Sequence, residues 1–394
     1  MTSETDTESS AKRRLVLRDA LTFLSLTLIT AVLFAITLFL FRTFASHREE
    51  LAERWSSQGQ AAMSSGQPEQ AIVALRTALS YAPGNRSYEL LLAQALGDAG
   101  HTEEAYNYFL GLWETQPGDG FINLRLARLA AAKKDTQAAI NYYRASIFGS
   151  WEGDGTERRR DVRLELSRYL LAHNNLSGAR VELLIAGGNA PDDVGLAMTI
   201  APLLEQAGAL NDALNYYRKV LAREPNNQAA MEAAGRLEYG FGHFEEAHRL
   251  LEQAVRQHVA GNSSAAAPAP DIARMLDNSA QVLALAPSKK LPGKQRVARI
   301  VRARDLAKKR FESCNDQTSA TGDAVSPLHA LDTKWMGREA TINGTTLLND
   351  STEQDAVMKL VYDTEIQTSQ ICGAPTGDDA ILLLLAKSSK VVEP

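Results

Sequence analysis

The chain has only two cysteines in 394 residues, Cys314 and Cys372, and neither lies in a Cys-x-x-Cys or haem-attachment pattern. That scarcity argues against a metal or haem held by thiolates. For the pair itself two readings stay open. One is a disulfide, worth about 4 kcal/mol in the chain-entropy model and favoured outside the cytosol; the other is two unconnected buried thiols. Also missing are a phosphate-cradling glycine loop, a nucleophile elbow, and any histidine placed beside cysteine or paired carboxylates. The sequence therefore announces no catalytic residue, no metal site, no cofactor and no small-molecule substrate. There is no excess of positive charge either, since 42 Lys and Arg face 47 Asp and Glu for a formal net charge of -5, which disfavours nucleic acid as the main partner. With 45% apolar and 23% charged residues the composition is that of a folded protein.

What is present begins with a run free of charge over 21–41, LTFLSLTLITAVLFAITLFLF, which as a helix reaches about 30 Å, one hydrocarbon thickness. A transmembrane helix over 19–42 is expected. A secretory signal peptide fits less well, because its apolar region is usually about 7 to 15 residues and Thr43-Phe44-Ala45 is a poor cleavage site. Lys12, Arg13, Arg14 and Arg18 precede the span, against Arg42, Arg48 and the more distant Arg54 after it. This bias favours an inside N-terminus, with 1–18 a disordered cytosolic tail and the bulk of the chain carried across a cytoplasmic membrane; the reverse topology is the alternative.

Alanines at 71, 105 and 139 stand 34 apart, and those at 179, 213 and 247 repeat that spacing after one 40-residue step. With Ala71 as the twentieth residue of a unit, six units follow: 52–85, 86–119, 120–153, 160–193, 194–227 and 228–261. Features not used to set this frame then fall into place. The eighth position holds Gly59, Ala93, Ala127, Ser167, Ala201 and Gly235, all small. The twenty-fourth holds Leu75, Phe109, Tyr143, Leu183, Tyr217 and Leu251, the bulky knobs of a packed helix face. Pro83, Pro117, Pro191 and Pro225 end the units, with Trp151 and Val259 the exceptions. Six extra residues, 154–159, separate units three and four, where a bend or protruding loop is expected.

At Trp55 and Gly59, and in segments such as AIVALRTALSYAPGN and ALNYYRKVLAREPNN, the chain resembles the tetratricopeptide repeat family. The resemblance covers 52–261 and implies an all-α solenoid of helical hairpins that binds proteins or peptides. It also implies a groove lined by the first helix of each hairpin. The ninth unit positions are Gln60, Gln94, Arg128, Arg168, Pro202 and Arg236, and the fifth are Ser56, Leu90, Leu124, Leu164, Met198 and Glu232. Arginine forks beside an apolar track would suit a peptide carboxylate with apolar anchors. The alternative is that the arginines are ordinary solvated residues, Arg236 pairing with Glu232 one turn away, and that the leucines pack between units. The frame also disposes of a tempting metal pair: His243 and His248 are five apart and miss the spacing that puts two ligands on one helical face.

Beyond 261 the periodicity stops. A small-residue, proline-bearing linker over 262–270 is followed by a helical region, 271–394, with helices expected over 271–286 and 294–313, the second burying Val297, Ile300, Val301, Ala307 and Phe311 and the two forming a degenerate seventh hairpin. Ten basic residues crowd 289–310, which suits either an anionic membrane surface or a solvated outer face. The polar stretch 315–352 reads as an excursion with little regular structure around Trp335. Helices over 353–371 and 380–386 close the region, the latter carrying an apolar run, ILLLL, that needs burial. Taken together, these features describe a membrane-anchored scaffold or adaptor for protein assembly. Two further readings remain: an enzyme with its active site in the C-terminal third and substrate recruited by the repeats, and a lipid-surface binder using the basic helix.

Overall fold

The computed structural model describes residues 4–190, 192–261, 269–319 and 328–392; Pro191 and most of the 262–270 linker lie outside them. The described residues form nineteen helices and no strand. They divide into two compact units, Met1–Leu166 and Ser167–Pro394.

In the first unit, α1 (Glu4–Ser64) is followed by α2 (Pro68–Tyr81), α3 (Arg86–Asp98), α4 (Thr102–Thr115), α5 (Gly120–Ala132), α6 (Thr136–Phe148) and the first two-thirds of α7 (Gly155–Ala172). The single helix α1 is a correction. Residues 4–18 are helical rather than a disordered tail, and the apolar run continues without a break into the first helix of the first repeat. The reason lies in composition: no glycine precedes Gly59 and no proline precedes Pro68, so nothing interrupts the hydrogen-bond ladder. This helix is long and apolar enough to cross a membrane, and its apolar side chains, Phe23, Leu33 and Phe41 among them, are exposed.

The second unit continues with α8 (Leu176–Gly188), α9 (Val194–Gln206), α10 (Leu210–Arg223), α11 (Gln228–Gly240) and α12 (Phe244–Gly261). Each hairpin is built in the same way. The six framing alanines are fully buried, and the bulky knobs Leu75, Phe109, Tyr143, Leu183, Tyr217 and Leu251 are at most 3% exposed. The small residues explain how the helices approach. A Cβ on Gly59 would lie 2.7 Å from Leu75 Cγ, and one on Gly235 would lie 2.7 Å from Leu251 Cδ2, so eighth and twenty-fourth positions interlock. The final residue of four units caps the next unit's first helix: Asn85, Asp119, Asp193 and Asn227 each accept from a backbone N–H of its first turn.

A further regularity sits in the turns. Gly66, Gly100, Lys134, Asn174, Gly208 and Gly242, all at the fifteenth position of their units, have positive φ. In each turn the next residue's N–H reaches back to a helix carbonyl, as from His101 to Leu96 at 2.9 Å, closing the helix end. The conformation is thus fixed by the repeat even where the residue is lysine.

Between units three and four the expected protruding loop is instead mostly helix. Asp154 Oδ1 accepts from Thr156 and Glu157 N–H at 3.0 and 3.3 Å, and α7 starts at Gly155, so the extra residues lengthen a helix.

The C-terminal helices are α13 (Pro270–Leu285), α14 (Gly293–Ser319), α15 (His329–Trp335), α16 (Arg338–Thr341), α17 (Gly344–Asn349), α18 (Ser351–Ile371) and α19 (Gly377–Val392). Two expectations change here. The stretch around Trp335 is regular, with three short helices and a buried Trp335 stacked on Phe311 at 6.0 Å, because Trp335 and Leu347 supply the burial that its polar composition conceals. Nor do α13 and α14 make a seventh hairpin: α13 packs on α12 and α19, while α14 pairs with α18. The core joins Val297, Ile300, Ala307 and Phe311 to Val357, Val361, Ile381 and Leu382, with Phe244 of the sixth hairpin in the same cluster.

Candidate functional site

The groove positions fare differently. Gln60 is exposed and Gln94 half-buried, but Leu124 and Leu164 are only 9% exposed, so they pack inside the first unit and line no open track. Arg128 is engaged rather than free: its Nε and Nη2 donate to Glu165 Oε1 and Oε2 at 2.8 and 2.7 Å, and Tyr143 donates its hydroxyl to the same Oε1 at 2.8 Å. That fork holds the guanidinium's pKa above its usual range. In the second unit Arg236 pairs with Glu205 at 3.1 Å, not with Glu232, which accepts from Gln228. Glu205 also accepts from Tyr217, whose pKa rises mainly through burial and then through that bond. Arg168 is exposed and carries no ion pair among the described residues. Two of the three arginine forks are therefore filled from within the chain, and a partner's carboxylate would have to displace a glutamate to use them.

A better-built concavity lies nearby in the first unit, at the place where the repeat pattern lapses. Trp151 stands where a proline was expected. Its ring rests on Gly120, where a Cβ would come within 2.4 Å of it, and its Nε1–H donates to Ser146 O at 3.0 Å. The backbone secures the same contact, with Gly120 N–H donating to Ser150 O and Ser150 N–H to Gly118 O, both at 2.8 Å. Arg158, from the extra residues, stands 5.8 Å over the Trp151 ring. Together with Leu90, Gln94 and Phe121 these residues line a cleft of about 750 Å³. Its wall carries two acids, Asp119 and Glu152; Asp119 is occupied as the α5 cap. Gln94 was legible as a groove residue, whereas Trp151, Phe121 and Arg158 were not, and the signal available was the broken proline position beside the six-residue insertion.

The histidines have local duties. His243 Nδ1 lies 2.8 Å from Glu238, which is almost fully buried and also accepts from Arg218 at 2.5 Å, and His248 lies 3.2 Å from Ser279 Oγ. The basic cluster is likewise turned to structural use. Arg299 donates to Leu283 O and Ala286 O at the end of α13, Arg304 to Ile342 O, and Arg310 to Gly373 O, while Arg302 pairs with Asp378 at 2.8 Å. These side chains close helix ends and leave few charges for a membrane surface. Cys314 and Cys372 join α14 to the end of α18 in a disulfide with Cα atoms 5.8 Å apart.

In the C-terminal helices Glu365 is fully buried with neither carboxylate oxygen hydrogen-bonded, and burial, with Asp379 nearby, pushes its pKa up to about 8 against the pull of Arg310. Asp379 is raised by burial as well. A separate cleft of about 650 Å³ opens between the start of α14 and the helices α18 and α19. The shifted acids do not line it. Tyr362 does, and its pKa, raised to about 12 by burial, is that of a hydroxyl kept neutral. Among the described residues the shifted acids and this cleft are therefore two separate places.

The helical hairpins with small-to-large interlocking define an α-solenoid protein of stacked repeats. The tetratricopeptide repeat family model matches residues 62–120 and 204–267. Over these two stretches, less than half of its length, the chain carries tetratricopeptide repeats. It is 27% identical over 209 residues to cellulose synthase 1 operon protein C of Komagataeibacter xylinus, a match covering 43% of this chain and 16% of that protein. The chain thus spans about a sixth of that relative. Among solved structures it is similar to a tetratricopeptide repeat protein from Parabacteroides merdae (12% identity, 64% of this chain and 92% of that one, TM-score 0.39). It is also similar to pilF of Pseudomonas aeruginosa (17% identity, 54% and 94% covered, TM-score 0.38). Proteins of this family mediate protein-protein interactions.

Proposed function

We propose that the protein is a membrane-tethered scaffold that holds a protein partner in the cleft around Trp151, with its N-terminus inside and the bulk of the chain extracytoplasmic. The observation that carries the reading is the cleft itself. An aromatic ring with its indole N–H satisfied, a second aromatic at Phe121, an aliphatic edge at Leu90 and polar handles at Gln94 and Arg158 match the way peptides are anchored, by apolar side chains with a few oriented polar groups. Three observations support the tether and its direction: the apolar α1, the basic residues before the run, and the Cys314–Cys372 bond, which suits an oxidising compartment. The likeness to a cellulose synthase operon protein agrees with a place at the cell envelope.

The test is co-purification after crosslinking in cells. Trp151→Ala and Arg158→Glu should each reduce partner recovery about tenfold or more, while Arg128→Gln, which breaks only the internal fork, leaves recovery within about twofold. Circular dichroism melting checks that each variant is folded. Equal recovery with folded Trp151→Ala would remove the cleft from the account.

A further inference from the structure

The second cleft, in the C-terminal helices, has a composition of its own. Its floor is apolar, with Met358 and the Tyr362 ring on α18 and the fully buried Ala386 on α19. Three cations stand on its wall. Arg296 is held nearly out of solvent, 16% exposed, with a buried Nε that has no partner, and it reaches Asp355 at 3.6 Å. Lys289 and Lys359 are exposed and have no ion-pair partner among the described residues. Lys294 and Lys309 are likewise exposed without an ion pair among the described residues but do not line the cleft, whereas Lys290 pairs with Glu245 at 2.7 Å and Arg299, Arg302, Arg304 and Arg310 are bonded to carbonyls or carboxylates. Of the two acids on the wall, Asp363 pairs with Lys334 at 2.9 Å, while Asp355 stands beside Arg296 and is 66% exposed.

We infer that this cleft binds an acidic peptide segment of a partner protein, one carboxylate meeting Lys289 and Lys359 while an adjacent apolar side chain rests on Met358 and Tyr362. The charge pattern selects the occupant. Two uncommitted lysines offer one anionic group a counter-charge, whereas Asp355 and Asp363 on the same wall oppose a polyanion or a densely anionic lipid surface. A mixed lining of apolar floor and hydroxyls, Ser288 and Ser389 among them, fits a chain that alternates side chains with amides to be bonded. The Tyr362 hydroxyl, kept neutral by burial, stays a donor throughout the physiological range. This site lies in a different unit from the Trp151 cleft and does not depend on it.

The probe is a phage-displayed library of random dodecapeptides selected on the full chain in detergent. The enriched pool should carry an aspartate or glutamate next to an apolar residue, bind the paired variant Lys289→Glu, Lys359→Glu at least tenfold more weakly, and bind Trp151→Ala as it binds the unaltered chain. The milder Lys289→Gln, Lys359→Gln pair should give an intermediate loss, with melting curves unchanged, which separates binding from folding. The inference is overturned by a pool without acidic enrichment, by no enrichment above a protein-free control, or by equal binding to the charge-reversed pair. It is also overturned if only phosphatidylglycerol vesicles, and no peptide, depend on the two lysines. Loss in Trp151→Ala alone would assign the pool to the other cleft and contradict this one.

Discussion

The hairpins of 52–261 and the helices of 270–392 are both all-α, yet they hold themselves together in different ways. In the hairpins, closeness is a matter of size: Gly59 under Leu75 and Gly235 under Leu251 let backbones meet with no polar atom at the contact. In the C-terminal helices, polar atoms are taken inside and tied down. Gln354 donates to Leu347 O, Trp335 to Thr364, arginines of α14 reach carbonyls at helix ends, and a disulfide ties α14 to the end of α18, while Glu365 lies buried with its carboxylate unbonded. The first scheme repeats and so can be read from spacing. The second is assembled once, from groups far apart in sequence, and leaves room for titration and redox chemistry.

Reduction should separate the two schemes most strongly. Replacing Cys314 and Cys372 by serine should destabilise the C-terminal helices by about 4 kcal/mol. Hydrogen exchange should show the loss in α14, α18 and α19 while α2 to α6 keep their protection; a uniform loss would erase the distinction. Leu75→Ala should cost about 2 to 5 kcal/mol, as for any buried leucine, and adding Gly59→Ala should recover part of it, because the new Cβ enters the space vacated. If denaturant melts find the two changes simply additive, size is not what couples those helices.

The buried acid gives the next effect. Glu365 has a folded pKa near 8 against an ordinary value of 4.5, so the fold retains a proton that the unfolded chain releases across that interval. The sign is therefore one of loss: stability contributed by the protonated carboxyl is full below about pH 4.5, falls as pH rises, and is gone above about 8, by an amount of a few kcal/mol. Glu365→Gln should flatten the profile and stabilise the chain at pH 8. Retention of the full slope in that variant would show that another group carries it. The smallest effect is in the turns. Lys134→Gly should stabilise by about 1 kcal/mol, since lysine there holds φ at 62°, whereas Gly100→Ala should destabilise by a similar amount.

Spacing made the hairpins legible down to the interlocking positions, because six copies of one contact leave six copies of one pattern. It also located the irregularity at 154–159, though not its form. An insertion can lengthen a helix as readily as it makes a loop, and only the Asp154 cap decides which. The groove arginines were visible as residues but not as pairs. Glu165 and Glu205 sit at the sixth and twelfth positions of their units, so no single register links them to Arg128 and Arg236. The basic run of α14 misled for a similar reason: charge counts on one helix cannot show the carbonyls at which Arg299, Arg304 and Arg310 end.

The central claim, that the Trp151 cleft holds a protein partner, is met most directly by a photo-crosslinking amino acid placed in living cells at Gln94, inside the cleft, and separately at Gln137, exposed on α6. The account predicts a discrete adduct from position 94 that disappears when Trp151→Ala is added, and none from position 137. Adducts of equal yield from both positions, or an adduct at 94 indifferent to Trp151, would contradict it.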